Sequence, residues 1–233
     1  MRLNKFIAQS GACSRRQADK SVQGGSVTVN GSLELNPAYQ VTIDDDVRMD
    51  GQKIIDSQTF RTILMNKPEG YITTMHDPLK RKTVMELIDF KERLFPIGRL
   101  DKDTSGLLLL TNNGYLANKL THPKNKIPRI YELEIDKPFE NWEKRKIAKN
   151  IYIGQKEWGR GEIIEQKKNK GRTIVLMRLH QGKKREIRRI VYRMKRTLFS
   201  LKRIQFGPIR LDGTPIGSYR ELHESEIKEI SRL

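Results

Sequence analysis

Two carboxylates in the segment 98–114, GRLDKDTSGLLLLTNNG, could do chemistry. The segment passes from a polar stretch into a buried-strand pattern, and loops that rigid strands hold commonly display catalytic groups. Asp101 and Asp103 are therefore candidates, although D-T-S-G also fits an ordinary Asx-type turn. Arg99 and Lys102 flank Asp101 and would keep it ionised. An ionised carboxylate suits a nucleophile or a base better than a proton donor.

A second segment, GKKREIRRIVYRMKR at 182–196, predicts a basic helix. Apolar residues at i, i+3, i+4 and i+7 would form its core-facing side: Ile187, Ile190, Val191 and Met194. Basic residues and one tyrosine would form the opposite side: Arg185, Arg189, Tyr192, Arg193 and Arg196. That side is either simply solvated or grips phosphates. Arg188 lies on the flank, and because a buried arginine needs a partner, we predict that it pairs with Asp101.

The charge of the chain predicts a polyanionic partner. Its 233 residues include 46 Lys+Arg and 28 Asp+Glu, a formal net charge of +18. The excess lies entirely after residue 60 and is densest at 180–203. This distribution indicates a nucleic-acid-binding protein.

Composition also excludes several classes of protein. The single cysteine, Cys13, excludes a disulfide framework and a Cys-rich metal site, and the four histidines lack ligand spacing. We therefore expect no metal and no cofactor. No apolar run approaches the roughly 20 residues of a membrane span, and no secretory signal pattern is present. We expect a cytoplasmic protein that makes no membrane contact.

Local patterns predict a small first domain over 1–56. It should contain a helix at 3–9, a second helix that Ser14 caps, and hairpins at Asn30-Gly31 and Asp50-Gly51. A polar linker at 57–61 should follow.

The larger domain should occupy 62–233 and have an α+β fold around a mixed, largely antiparallel sheet. Strands are predicted at 62–65, 107–110, 130–135, 161–166, 173–179 and 197–206. Helices are predicted near 83–89, at 139–148 and 184–195, and from Glu224.

The first domain resembles the S4-like RNA-binding domain of a ribosomal protein and several RNA-modifying enzymes. The matching stretches are RLNKFIAQSGACSRRQAD at 2–19 and GGSVTVNG at 24–31. The resemblance implies that basic residues of the two helices bind folded RNA by shape and backbone: Arg2, Lys5, Arg15, Arg16 and Lys20. The alternative is a helical cap that packs on the next domain.

The larger domain resembles the bacterial ribosomal-RNA pseudouridine synthases of the RsuA/RluB/RluE/RluF family. The matching blocks occur in the family's order and spacing, and together with the first domain the resemblance covers nearly the whole chain. They are NKPEGY at 66–71, RKTV at 81–84, PIGRLDKDTSGLLLLTNNG at 96–114, RIYEL at 129–133, GKKREIRR at 182–189, LKRIQFGPIRL at 201–211 and YREL at 219–222. The resemblance implies a sheet with a central cleft and a reaction without metal or cofactor.

The same resemblance implies roles for individual residues. Asp101 would be the essential catalytic carboxylate, and Arg188 would pair with it. Tyr131 would stack on the target base, Leu201 would help to wall the pocket, and Arg99 would flip or hold the nucleotide.

The basic segment around the second helix would bind RNA. The residues expected to make these contacts are Lys183, Lys184, Arg185, Arg189 and Arg193. Lys184 and Glu186 stand where many members have Asn or His and Gln, so the local RNA contacts could differ from the family's.

The resemblance implies that the protein isomerises uridine to pseudouridine in a structured stem-loop of ribosomal RNA. Large-subunit RNA is the favoured substrate. The base would be flipped out of the helix, and the enzyme would act as a monomer. Asp101 would either attack the sugar or the base or remove a sugar proton, and the sequence leaves these mechanisms open.

Two alternatives compete with this function. A non-catalytic ribosome assembly factor could retain the synthase fold for RNA binding, but it would predict a decayed R-L-D motif. A phosphodiesterase could use Asp101 and Asp103, but it would need a divalent metal and further acidic ligands.

Overall fold

The computed structural model describes residues 1–42, 44–55, 59–90 and 92–233. These residues divide into two compact units. The first comprises Met1–Arg61, Phe90–Leu94 and Asn112–Gly114, and the second Thr62–Asp89, Phe95–Thr111 and Tyr115–Leu233. Residues 56–58, where we predicted the end of the first domain and the start of the linker, lie outside the described residues. The boundaries at 56, 57–61 and 62 therefore stay predictions.

The first unit is a helix pair followed by a small antiparallel sheet. Its elements are α1 (Leu3–Gln9), α2 (Arg15–Gln23), β1 (Val27–Val29), β2 (Ser32–Leu33), β3 (Val47–Met49) and β4 (Gln52–Lys53). The Gln17 N–H donates to Ser14 Oγ at 3.2 Å, which confirms the predicted cap. Asn30 and Asp50 adopt positive φ angles of 52° and 51°, as tight hairpin turns require.

The second part of the chain contains four helices and eleven strands within the described residues. They are β5 (Thr62–Lys67), β6 (Phe95–Pro96), β7 (Ser105–Thr111), α3 (Gly114–Thr121), β8 (Arg129–Ile135), α4 (Asn141–Lys149), β9 (Ile151–Gly154), β10 (Glu157–Gly159), β11 (Glu162–Asn169), β12 (Arg172–Leu179), α5 (Glu186–Arg193), β13 (Leu198–Phe206), β14 (Ile209–Arg210), β15 (Tyr219–Glu221) and α6 (Glu224–Arg232). The helix predicted near 83–89 is a 3-10 turn, Val84–Leu87.

The large sheet confirms the predicted α+β class. Its strand order is β11-β12-β8-β13-β7-β5-β15, with β14 on β13 and β6 on β7. Among the described strands, only β13 and β7 pair in parallel, and the other pairs are antiparallel. The parallel pair lies at the centre, so the strand that follows the Asp101 loop runs beside the strand that follows α5.

Gly106 makes that parallel pairing possible. It lies opposite Arg203 in the β7–β13 register and has a φ of +99°. A Cβ at this position would overlap the backbone of Arg203. Only glycine combines this φ with the close approach of the two strands.

Helix α5 packs against the core through its predicted apolar side. The four residues of that side are all buried: Ile187, Ile190, Val191 and Met194. The helix is shorter than the predicted 184–195, because Arg185 adopts a left-handed φ of 52° at its N-cap. The β9–β10 hairpin and α3 were not predicted. In the described part of the chain, no helix combines the length and apolar character of a membrane span.

Candidate active site

A cleft of about 970 Å³ in the second unit brings together five residues that come from distant parts of the sequence. Asp101, Arg99, Tyr131, Arg188 and Leu201 all line it. The first two lie on the loop that precedes β7, the third on β8, and the last two on α5 and β13. The order of strands in the sheet is therefore what assembles the site.

A buried lysine holds the backbone of the Asp101 loop. Lys67, at the end of β5, is fully buried. Its Nζ donates to the carbonyl oxygens of Pro68 (2.9 Å), Asp101 (3.2 Å), Lys102 (3.4 Å) and Thr104 (2.8 Å). Burial lowers the pKa of Lys67 to about 8. Sequence reasoning missed this role, although a lysine that ends an apolar strand was a signal available within the N-K-P-E-G-Y block.

Further contacts fix the loop on its other side and leave the carboxylate available. Thr73 Oγ1 donates to the carbonyl of Leu100 at 3.0 Å, and the Gly70 N–H donates to that of Lys102 at 2.9 Å. The half-buried Asp101 carboxylate accepts no hydrogen bond from the described residues. The loop is thus positioned by its backbone, and the carboxylate can face a substrate.

Arg188 does not form the predicted ion pair with Asp101. Its Nη2 donates to the carbonyl oxygen of Asp103 at 2.5 Å and contacts Thr104 Oγ1 at 3.4 Å. Burial lowers the pKa of the Arg188 guanidinium, while the charges of Asp103 and Asp101 act in the opposite direction. Its buried Nε has no partner within the described residues. Arg188 therefore holds the loop's backbone and lies within electrostatic range of Asp101.

Tyr131 and Leu201 share one face of two adjacent strands. Tyr131 lies opposite Arg203, and Leu201 lies opposite Leu133, in the β8–β13 pairing. Tyr131 is only 9% exposed and Leu201 4%. Because side chains alternate between faces along a strand, these four residues project to the same side. Tyr131, Leu201 and Arg203 line the cleft, so this face presents a phenol ring and an apolar side chain beside a guanidinium.

Two arginines at the floor of the cleft were not predicted. Arg129 and Arg203 place their guanidinium carbons 4.9 and 5.1 Å from the centroid of Phe206. Arg203 is 2% exposed, and its Nε donates to the carbonyl of Leu107 at 2.7 Å. Burial, together with the neighbouring charge of Arg203, lowers the pKa of Arg129. The floor is therefore strongly positive and favours an anionic ligand.

A buried glutamate shapes the basic loop at the rim. Glu186 is 3% exposed and accepts from Gln181 Nε2 (2.7 Å), Arg160 N (3.1 Å) and Lys183 N (3.0 Å). These bonds hold the turn that brings Lys183, Lys184 and Arg185 to the cleft lining. Glu186 therefore organises the loop that carries these three basic residues.

The outer side of α5 is less solvated than predicted. Arg189 bonds within the chain through all three nitrogens, including Glu157 Oε2 at 2.5 Å. Arg196 is also internal, with Nη2 2.6 Å from Glu143 Oε2. Arg193 remains exposed. The placement of Arg189 and Arg196 on an open basic face is therefore wrong, and Arg189 is not free for a phosphate.

The basic residues predicted for the first domain are all exposed: Arg2, Lys5, Arg15, Arg16 and Lys20. Within the described residues, none of them forms an ion pair with an acidic side chain. Their guanidinium and ammonium groups are thus accessible.

Among the residues that the structure describes, no group of three or more His, Cys, Asp and Glu side chains is placed to hold a metal ion. Asp103, the second carboxylate of the loop, points to Arg185 at 3.6 Å.

Each of the two parts of the chain matches a known protein family. The family model described as RNA pseudouridylate synthase matches residues 61–192, and that described as S4 domain matches residues 1–47. An uncharacterized RNA pseudouridine synthase of Aquifex aeolicus is 35% identical over 99% of this chain and 93% of its own. The ribosomal large subunit pseudouridine synthase B of Bacillus subtilis is 34% identical over 100% of this chain and 96% of its own.

A further relative and a solved structure are similar to the chain over its whole length. The dual-specificity RNA pseudouridine synthase RluF of Escherichia coli K12 is 33% identical over 100% of this chain and 79% of its own. A crystal structure of a pseudouridylate synthase superposes with a TM-score of 0.69 at 26% identity, over 99% of each chain.

Proposed function

The chain belongs to the RNA pseudouridylate synthase family, and from that premise we propose that it isomerises uridine to pseudouridine in ribosomal RNA with Asp101 as the essential carboxylate. Large-subunit RNA is the favoured substrate, because the Bacillus subtilis relative is named for that subunit. The observation that carries the proposal is the Asp101 carboxylate on a fixed loop, which accepts no hydrogen bond from the described residues and lies in a cleft with Tyr131 and two floor arginines.

The cleft suits a nucleotide that has left its helix. Flipping a base costs a few kcal/mol, and stacking on the Tyr131 ring could return about 1–3 kcal/mol. The exposed Arg99 side chain precedes Asp101 on the same loop, so it can fill the gap in the helix or hold the displaced nucleotide. Leu201 closes the pocket beside the base, and the floor arginines attract the backbone phosphate.

The reaction needs one carboxylate and no redox partner. The N1–C1′ bond of uridine breaks, the uracil turns, and C5 forms a bond to C1′. The hydrogen on C5 leaves to solvent, and N1 takes up a proton. Asp101 either attacks the substrate or removes a sugar proton, and Arg188 places a positive charge near the reacting groups.

Contacts at the rim of the cleft and on the first unit would supply affinity for the RNA. Lys183, Lys184 and Arg185 at the rim and the exposed arginines and lysines of the first unit would neutralise phosphates of a stem-loop. A cytoplasmic location follows from a ribosomal RNA substrate. The stem-loop and the monomeric state stay predictions.

The direct test is tritium release from ribosomal RNA transcribed with uridine tritiated at C5. The wild-type protein should release tritium from large-subunit transcripts without added metal. No release from either subunit's RNA, with RNA binding retained, would contradict the proposal and favour a non-catalytic assembly factor.

A further inference from the structure

We propose that Tyr152, Trp158 and Arg193, termed the aromatic ledge, bind an unpaired base of the RNA substrate outside the catalytic cleft. The inference rests on the proposed function, which supplies an RNA ligand. None of the three residues lines the cleft, and none has a role in the chemistry described above.

The ledge presents aromatic rings to solvent in a fixed arrangement. Tyr152 and Trp158 lie on the β9–β10 hairpin with ring centroids 5.4 Å apart and planes at 65°. They are 43% and 51% exposed. The guanidinium carbon of Arg193, on α5, lies 5.5 Å from the Tyr152 centroid. Two rings at this angle do not cover each other face to face, and an uncovered ring face is what a nucleobase stacks on.

The hairpin that carries the rings is tied to α5. Arg189 Nε donates to the carbonyl of Ile153 at 2.9 Å, and Nη2 donates to that of Gly154 at 2.6 Å. The Lys156 N–H donates to the hydroxyl of Tyr152 at 3.4 Å, within the turn of the hairpin. A surface held this way loses little conformational entropy when it binds.

The charge around the ledge selects a nucleic acid rather than an apolar peptide. Glu157, the acidic residue of the hairpin, is held by Arg189, and Lys156 and Arg193 are exposed. Lys183 Nζ donates to the carbonyl of Trp158 at 2.6 Å. Exposed rings interleaved with cations are the pattern that binds single-stranded nucleic acid.

Lys183 also connects the ledge to the active site. Lys183 is a lining residue of the cleft, and its Nζ donates to the backbone carbonyl of Trp158. A strand whose target uridine enters the cleft would therefore cross Lys183 and reach the ledge with a neighbouring nucleotide. The ledge would contribute affinity at an unpaired position near the target.

The chain contains an internal control in its second tryptophan. Trp142, on α4, is 52% exposed, so its exposure matches that of Trp158. Its Nε1 donates to Glu140 Oε2 at 2.8 Å, and a carboxylate beside the ring repels RNA. The two equally exposed tryptophans thus differ in the group held beside the ring, which is a carboxylate at Trp142 and the Lys183 ammonium at the backbone of Trp158.

Fluorescence can separate the two rings. In Trp142→Phe the emission reports Trp158, and in Trp158→Phe it reports Trp142. Titration with ribosomal RNA transcripts, excited at the red edge of tryptophan absorption, should quench Trp158 strongly and Trp142 little. Equal quenching of both, or quenching of Trp142 alone, overturns the proposal.

Affinity supplies a second, independent readout. Trp158→Ala should weaken binding of the ribosomal RNA transcript about tenfold without changing the salt dependence, because stacking neutralises no phosphate. Trp158→Tyr should recover most of the affinity, and Trp142→Ala should leave it unchanged. A changed salt slope, or unchanged affinity in Trp158→Ala, overturns the proposal.

Tritium release by the wild-type protein, run in parallel, distinguishes this failure from failure of the proposed function. A protein that releases tritium but fails the two tests above lacks the ledge contact and remains a synthase. A protein whose Trp158 is quenched but that releases no tritium binds RNA at the ledge and is not a synthase.

Discussion

The buried ammonium of Lys67 donates a hydrogen bond to the backbone carbonyl of Asp101 at 3.2 Å. The same ammonium also bonds the carbonyls of Lys102 and Thr104. The position of the candidate catalytic residue thus depends on a lysine 34 residues earlier in the chain. A cation that binds several backbone carbonyls fixes a loop without engaging the side chains of the loop. The Asp101 carboxylate is therefore available to the substrate.

Lys67→Met should disable the enzyme through loop position. Several carbonyls lose their donor, and we expect destabilisation of about 1–3 kcal/mol. A loop displaced by about 1 Å should lower kcat on the order of 100-fold. Urea unfolding and tritium release measure the two effects, and Lys149→Met, an exposed lysine on α4, is the control. Wild-type kcat in Lys67→Met would contradict the positioning role.

Lys67 should also give stability a distinctive pH dependence. Its pKa is about 8 in the folded protein, below the ordinary lysine value of 10.5 that applies to the unfolded chain. Between these values the unfolded chain binds more protons, so the free energy of unfolding contributed by Lys67 rises with pH. The difference between wild type and Lys67→Met, measured by urea unfolding at several pH values in this window, should shift in favour of the wild type as pH increases. A difference that is constant or shrinks would show that burial does not lower this pKa.

Asp101→Asn should abolish tritium release and leave RNA affinity within about twofold. The carboxylate has no hydrogen bond to a described residue, so its neutralisation should change stability by less than about 0.5 kcal/mol. Asp103→Asn is the matched control, because Asp103 lies on the same loop and is exposed. Loss of activity in both variants would favour a two-carboxylate mechanism such as the phosphodiesterase alternative.

Arg188→Met should lower kcat about 100-fold with little change in RNA affinity. The guanidinium holds the carbonyl of Asp103 and lies near Asp101, so its loss affects both the loop and the charge of the site. Arg188→Lys keeps the charge but loses the forked geometry, and it should recover only part of kcat. Single-turnover tritium release measures kcat, and filter binding measures affinity. A defect confined to affinity would place Arg188 in RNA binding instead.

Gly106→Ala should destabilise the protein by more than about 2 kcal/mol. A methyl group there meets the Arg203 backbone, whereas at Gly171, which also has a positive φ, it meets nothing within 4 Å. Comparing thermal unfolding of Gly106→Ala and Gly171→Ala therefore isolates the steric overlap from the backbone strain. Similar losses in the two variants would show that the β7–β13 approach is not limiting.

The sequence by itself determined those features that local rules govern. The Ser14 cap and the hairpin turns at Asn30 and Asp50 follow from the conformations these residues favour. The apolar side of α5 follows from helical periodicity. The ordered motifs were also enough to predict the family, the α+β class and the loop that carries Asp101.

Only the tertiary structure decided which groups meet. Arg189 and Arg196 look like outward charges on a helical wheel, but their partners Glu157 and Glu143 are 32 and 53 residues away. Arg188 donates to the backbone carbonyl of Asp103 rather than to the Asp101 carboxylate. Every residue has a backbone carbonyl, so the residue types do not show which one an arginine will bind. Such pairings depend on strand order and on desolvation at each site, which periodicity and composition do not encode.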